Sequence, residues 1–151
     1  MLYQVINDWV TQKITLLNNS LTPEERLKLS DANFEMDFLP SNLKDNSYLI
    51  KLESIKIEDN ESGEIKVNTV IEFHFRLYKK PIGKYKTLID EKLVELCKLL
   101  TDDSAAGLEY TSGEVTIANI HNLTVTGLEK AYKGGEYIFP KIEFVLQVFN
   151  N

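Results

Sequence analysis

The chain has 151 residues, 43% of them hydrophobic and 26% charged, with a formal net charge of −6. That length supports one domain burying roughly two thirds of its unfolded surface, and the composition excludes a disordered chain. The negative charge argues against a surface that grips phosphate backbones, and no apolar run approaches the ~20 residues of a bilayer span.

Residues 2–17 carry the clearest helical period. Leu2, Val5, Ile6, Trp9, Val10, Ile14 and Leu17 share one side, while Gln4, Asp8, Thr11, Gln12 and Thr15 take the other. Lys13 intrudes on the apolar side, where its stem can snorkel. The leading "MLYQVINDWV" lacks a basic leader and does not read as a signal peptide. "LTPEERLKL" then predicts a short second helix, with Thr22 as N-cap, Pro23 at the first position and Glu25 closing a capping box. Residues 30–47 have no sustained period and read as a long irregular connection.

"YLIKLESIKI" (48–57) is apolar on both faces, as an interior strand would be, and "IKVNTVIEFHFRLYK" (65–79) alternates strictly. With "EDNESGE" (58–64) as the turn, the two predict an antiparallel hairpin. Pro81 and Gly83 break the second strand, and residues 84–100 predict another amphipathic helix. Its broad apolar face holds Leu88, Ile89, Leu93, Leu96, Cys97 and Leu100, with Val94 as the exception. "TDDSAAG" stops it. Strand pattern returns at 113–119, continues through "IHNLTVTG", and resumes at 137–149 after a polar tip, "EKAYKGGE". No internal repeat interrupts this order. Two main helices cannot cover both faces of such a sheet. The expectation is an α+β domain spanning 1–151, with a mixed or antiparallel sheet and the helices packed on one side.

The one stretch that looks chemical is "TVIEFHFRLYKK" (69–80), which sets Glu72, His74 and Arg76 at alternate positions. Period two explains that row without chemistry. Ile71, Phe73, Phe75 and Leu77 point inward, whereas Val70, Glu72, His74, Arg76 and Tyr78 point outward to water or a neighbour. Backbone positions two apart lie about 6.5–7 Å from each other, too far for an acid and a base to share a direct hydrogen bond. His74 then serves best as a pH-sensitive contact at a subunit boundary.

Other constellations carry less. His74 and His121 have no close-spaced ligand partner, so no metal site is expected, and "DNESGE" lacks the ligand series of a calcium loop. Cys97, the single cysteine, excludes an intramolecular disulfide, points to a reducing compartment or an assembly that never meets an oxidising one, and reads as a buried structural thiol. The sequons at Asn18, Asn60 and Asn122 are accordingly read as chance. Acid pairs at Glu24–Glu25 and Asp102–Asp103 suit a helix start and a solvated loop. No glycine-rich phosphate loop occurs, so neither a cofactor nor catalysis is expected. Charge is uneven, however: residues 79–98 hold six lysines against three acids, and 101–151 hold seven acids against three lysines. Lys79, Lys80, Lys84 and Lys86 form a basic elbow that keeps a strand end soluble or meets an acidic neighbour.

In this order of elements the chain resembles the tail terminator, or tail completion, proteins of long-tailed bacteriophages. The resemblance runs through "LYQVINDWVTQKITLL", "FEMDFLPSN", the 48–78 hairpin, "YKTLIDEKLVELCKLL" and "FPKIEFVLQVF". It implies a non-catalytic virion protein at the head-proximal end of the tail, assembled in the host cytoplasm without any membrane contact. Such proteins form homo-oligomeric rings, commonly hexamers, on the last layer of tail-tube protein. The ring ends tube polymerisation and joins the tail to the neck or connector protein. DNA passes through its lumen without specific binding, and an acidic chain suits that passage. The resemblance places assembly contacts on the hairpin and the tips. Candidates are Glu58, Asp59, Glu61, Glu72, His74, Arg76, Tyr78, Lys79 and Lys80, with Lys130 and Lys133 in the later tip. Two alternatives stay open: another phage neck or baseplate adaptor, and a small-ligand module in which Tyr48, Tyr85, His121 or Tyr132 converge.

Overall fold

The computed structural model describes residues 1–29, 46–76, 82–101, 110–128 and 137–150, with side chains at all of these except 76, 82–90 and 137. The elements are α1 (Leu2–Asn18), β1 (Lys28–Leu29), β2 (Ser47–Asp59), β3 (Glu64–Arg76), α2 (Ile82–Thr101), β4 (Tyr110–Ser112), β5 (Val115–Thr126), β6 (Tyr137–Ile138) and β7 (Lys141–Asn150). The fold is α+β. Its sheet runs β1-β2-β3-β7-β5-β4, with β6 paired to β3 off that path. It is mixed: β1 runs parallel to β2 and every other pairing is antiparallel.

Register assigns the faces. Opposed residues share a side, so Tyr48, Ile50, Val67, Ile71, Phe73, Ile117, Ile142, Phe144, Leu146 and Val148 line one face. All are buried in one cluster with Val5, Ile6, Trp9, Val10, Ile14 and Leu17 of α1 and Leu93, Leu96 and Leu100 of α2. Both helices therefore pack on the same side. Trp9 stands edge-on to Phe144, ring centres 6.2 Å apart, and ties α1 to the middle of the sheet. Val94, the predicted exception of the second helix, is exposed, and Lys13 is half-buried. Among the described residues no helix is long and apolar enough to cross a membrane.

Three expectations need correction, and one short strand went unforeseen. The segment after Thr22 makes a single turn, closed by the Glu25 amide on the Thr22 carbonyl, and not a helix. Asn18 explains the change: its side chain accepts from the Leu27 amide and donates to the Leu27 carbonyl, pinning the chain straight as it enters β1. The strand at 48–57 is interior only at its start; β1 pairs with Ser47 and Tyr48, and residues 53–60 are exposed. The run 137–149 is two strands, divided at Phe139–Pro140, where proline has no amide to give a ladder. Finally, β4 carried too short a pattern to be foreseen, although Gly113 at φ +61 marks its hairpin turn to β5.

Candidate functional site

The open face of the sheet comprises Ser47, Leu49, Lys51, Ser54 and Lys56 of β2, with Lys66, Asn68, Val70, Glu72 and His74 opposite them in β3. Lys141, Glu143, Val145 and Gln147 of β7, then His121 and Thr124 of β5, complete it. Register shifts interrupt these strands, among them one between Leu52 and Ser54 and one between His121 and Thr124, where Asn122 takes φ +56. Between them Ser54, Asn68, Val145 and His121 stand opposite one another across four strands. These shorter side chains floor a depression of about 560 Å³, with Lys56, Lys66 and Glu58 on one wall. The Asn68 amide donates to Ser54 Oγ across that floor at 2.7 Å. Glu58 answers both lysines, 3.4 Å from Lys56 and 3.9 Å from Lys66.

His74 departs from expectation. It lies on the open face as its parity requires, yet it is 3% exposed, and Val70 beside it is buried as well. Phe139, just before the proline break, presents its ring edgewise to the imidazole at 5.2 Å between centres. The row is thus wet at one end and covered at the other. Backbone spacing also understated the reach of the side chains. Glu72 Oε1 lies 3.7 Å from His74 Nε2, beyond a hydrogen bond but within electrostatic contact, while Lys51 donates to Glu72 Oε2 at 2.9 Å. The imidazole contact lowers the Glu72 pKa most; burial opposes it, and Lys51 and Lys141 lower it further. The outcome is about 2. Glu72 is therefore a fixed carboxylate, not a proton shuttle near neutral pH.

A second polar knot went unforeseen. Lys92 of α2 is only 5% exposed, donates to Asn46 Oδ1 at 3.0 Å and sits 5.9 Å from the centre of the Phe75 ring. Asn46, at φ +59, donates to the Glu24 carbonyl, and its own carbonyl accepts from the Lys28 amide. The sequence held one signal of this: Lys92 occupies the apolar side of the helical period, between Ile89 and Leu96.

The remaining candidates scatter. Asp59 caps the hairpin turn, taking the Glu61 amide at 3.0 Å and the Ser62 hydroxyl at 3.1 Å. Arg76 ends β3, its side chain outside the description; Tyr78, Lys79, Lys80, Lys130 and Lys133 lie outside the described residues altogether. Tyr48 is buried under the helices while His121 is exposed on the opposite face, so this pair does not converge. Cys97 is half-buried, and burial raises its thiol pKa, the reverse of an activated nucleophile. Among the described residues no three His, Cys, Asp or Glu side chains gather as a metal cage. The chain matches no protein-family model and no curated protein.

Proposed function

We propose that the chain is a structural assembly subunit of the tail-terminator type. It forms a ring that caps a tail tube, ends tube polymerisation and meets the neck, with DNA passing through the lumen. One observation carries this reading: helices seal one face of the sheet, and beyond them the β2–β3 hairpin extends as an arm exposed from residue 53 to 60. An arm that holds isoleucines in water suits a partner better than solvent. The polar groups nearest to a catalytic arrangement, Glu72 and His74, support the same reading, since the imidazole is shielded and the carboxylate is held ionised.

The test is direct. Purified chain is mixed with polymerising tail-tube protein and imaged by negative stain. The expected result is rings at tube ends and an end to tube growth. A chain that never caps a tube, at any ratio, overturns the proposal. The open-face depression favours one rival reading, a small-ligand module. A ligand-induced rise in melting temperature that Asn68→Leu abolishes would support that reading instead.

A further inference from the structure

The outer edge of β2 leaves two isoleucines in water, and its register gives it an unusual pattern. Because Glu53 is an extra residue between Leu52 and Ser54, the side chains on either side of it change parity. Leu52 opposes Thr69, Ile55 opposes Val67 and Ile57 opposes Ile65, so these three aliphatic residues fall on one face. Lys51, Ser54, Lys56 and Asp59 fall on the other, opposite Val70, Asn68, Lys66 and Glu64. Ile55 is 53% exposed and Ile57 65% exposed, although both lie on the helix side of the sheet. The helix layer stops short of them.

We propose that this edge pairs antiparallel with the same edge of a second copy, across a two-fold axis at Ile55. The charge pattern selects the occupant and the register. With the axis at Ile55, and the extra residues Glu53 and Glu58 left out of the ladder, Ile55 meets its own mate and Leu52 meets Ile57 of the other copy. On the opposite face Ser54 meets Lys56, and Lys51 meets Asp59. Apolar groups oppose apolar groups and a cation opposes an anion. Moving the axis to Ser54 sets Lys51 against Lys56, and moving it to Lys56 sets that lysine against itself. Both neighbouring registers therefore oppose like charges, a penalty that fixes the pairing at Ile55. One strand edge buries less than the ~1,200 Å² of a stable interface, so the association is weak and rises with concentration. It goes beyond the capping role and stands whether or not the chain terminates a tube.

Single cysteines decide it. Ile55→Cys and Ile57→Cys are oxidised under mild conditions, with the wild-type chain, whose Cys97 is half-buried, as the blank. At the axis the two Cβ atoms lie within disulfide reach, whereas mates of residue 57 lie beyond it; Ile55→Cys should give about tenfold more covalent dimer than Ile57→Cys. Sedimentation of the unmodified chain should show mass rising with concentration, and Ile55→Asp should remove that rise. Equal crosslinking at both positions, or none at either, overturns the two-fold pairing. So does a concentration dependence unchanged in Ile55→Asp, which would place the self-contact elsewhere on the chain.

Discussion

At Glu72 one carboxylate meets two side chains from two strands, the Lys51 ammonium across the hairpin and the His74 imidazole two positions along its own strand. Its pKa of about 2 in the fold, against an ordinary 4.5, sets the sign of its pH dependence. A group whose pKa falls on folding stabilises above its unfolded value and loses that contribution as pH drops toward its folded value. The window here runs from about 4.5 down to about 2. The full shift corresponds to roughly 3 kcal/mol, and screening at the half-exposed Lys51 reduces it to about 1–2 kcal/mol. Glu72→Gln should therefore lose about that much at pH 7 while showing a flatter decline below pH 4.5, so that the two proteins converge near pH 2. Urea denaturation at pH 7, 4 and 2.5 measures it; parallel declines would refute the assignment. Alternation in "IEFHF" was enough to place Glu72 and His74 on one face of a strand. It could not reveal that the face is covered at His74, because the cover includes Phe139, which arrives from the link between β6 and β7, just before the proline break.

At the scale of elements, legibility followed periodicity. The helix at 2–17 was readable because six of its apolar positions, Val5 through Leu17, recur on one side, and all six are buried. The turn after it was misread because Pro23 and Glu25 satisfy a helix-start pattern, whereas Asn18, a helical turn earlier, competes for the Leu27 backbone. A local motif lost to a hydrogen bond formed outside it. In β2 the apolar count was right and the burial was wrong: Ile55 and Ile57 look like core residues but lie past the end of the helix layer. The role of α1 is testable through Trp9, the single tryptophan, 1% exposed and set edgewise on Phe144. Trp9→Ala removes the largest side chain joining α1 to the sheet and should cost about 3–5 kcal/mol. Far-UV circular dichroism during denaturation reads the shift in midpoint. A loss below about 1 kcal/mol would mean that α1 is held by its other contacts.

For the molecule as a whole, the core decides how the parts respond together. Residues from α1, α2 and strands β2, β3, β5, β6 and β7 belong to one buried cluster, and the sheet interleaves distant segments by placing β7 between β3 and β5. Neither the N-terminal half nor the C-terminal half holds a complete sheet, since β3 lacks its inner neighbour without β7, and β7 in turn loses one of its two long partners without β3. Unfolding should accordingly be all-or-none. Trp9 fluorescence reports the α1–sheet contact and far-UV circular dichroism reports all the elements, so the two should share one midpoint in urea. Separate midpoints would show that the helix layer detaches before the sheet melts. The exposed arm lies outside that cluster at residues 53–60, and the substitution Ile55→Asp should leave the common midpoint within about 0.5 kcal/mol of wild type. If it does, changes in self-association or tube capping in that variant report on the surface of the arm, because the fold beneath it is unaltered.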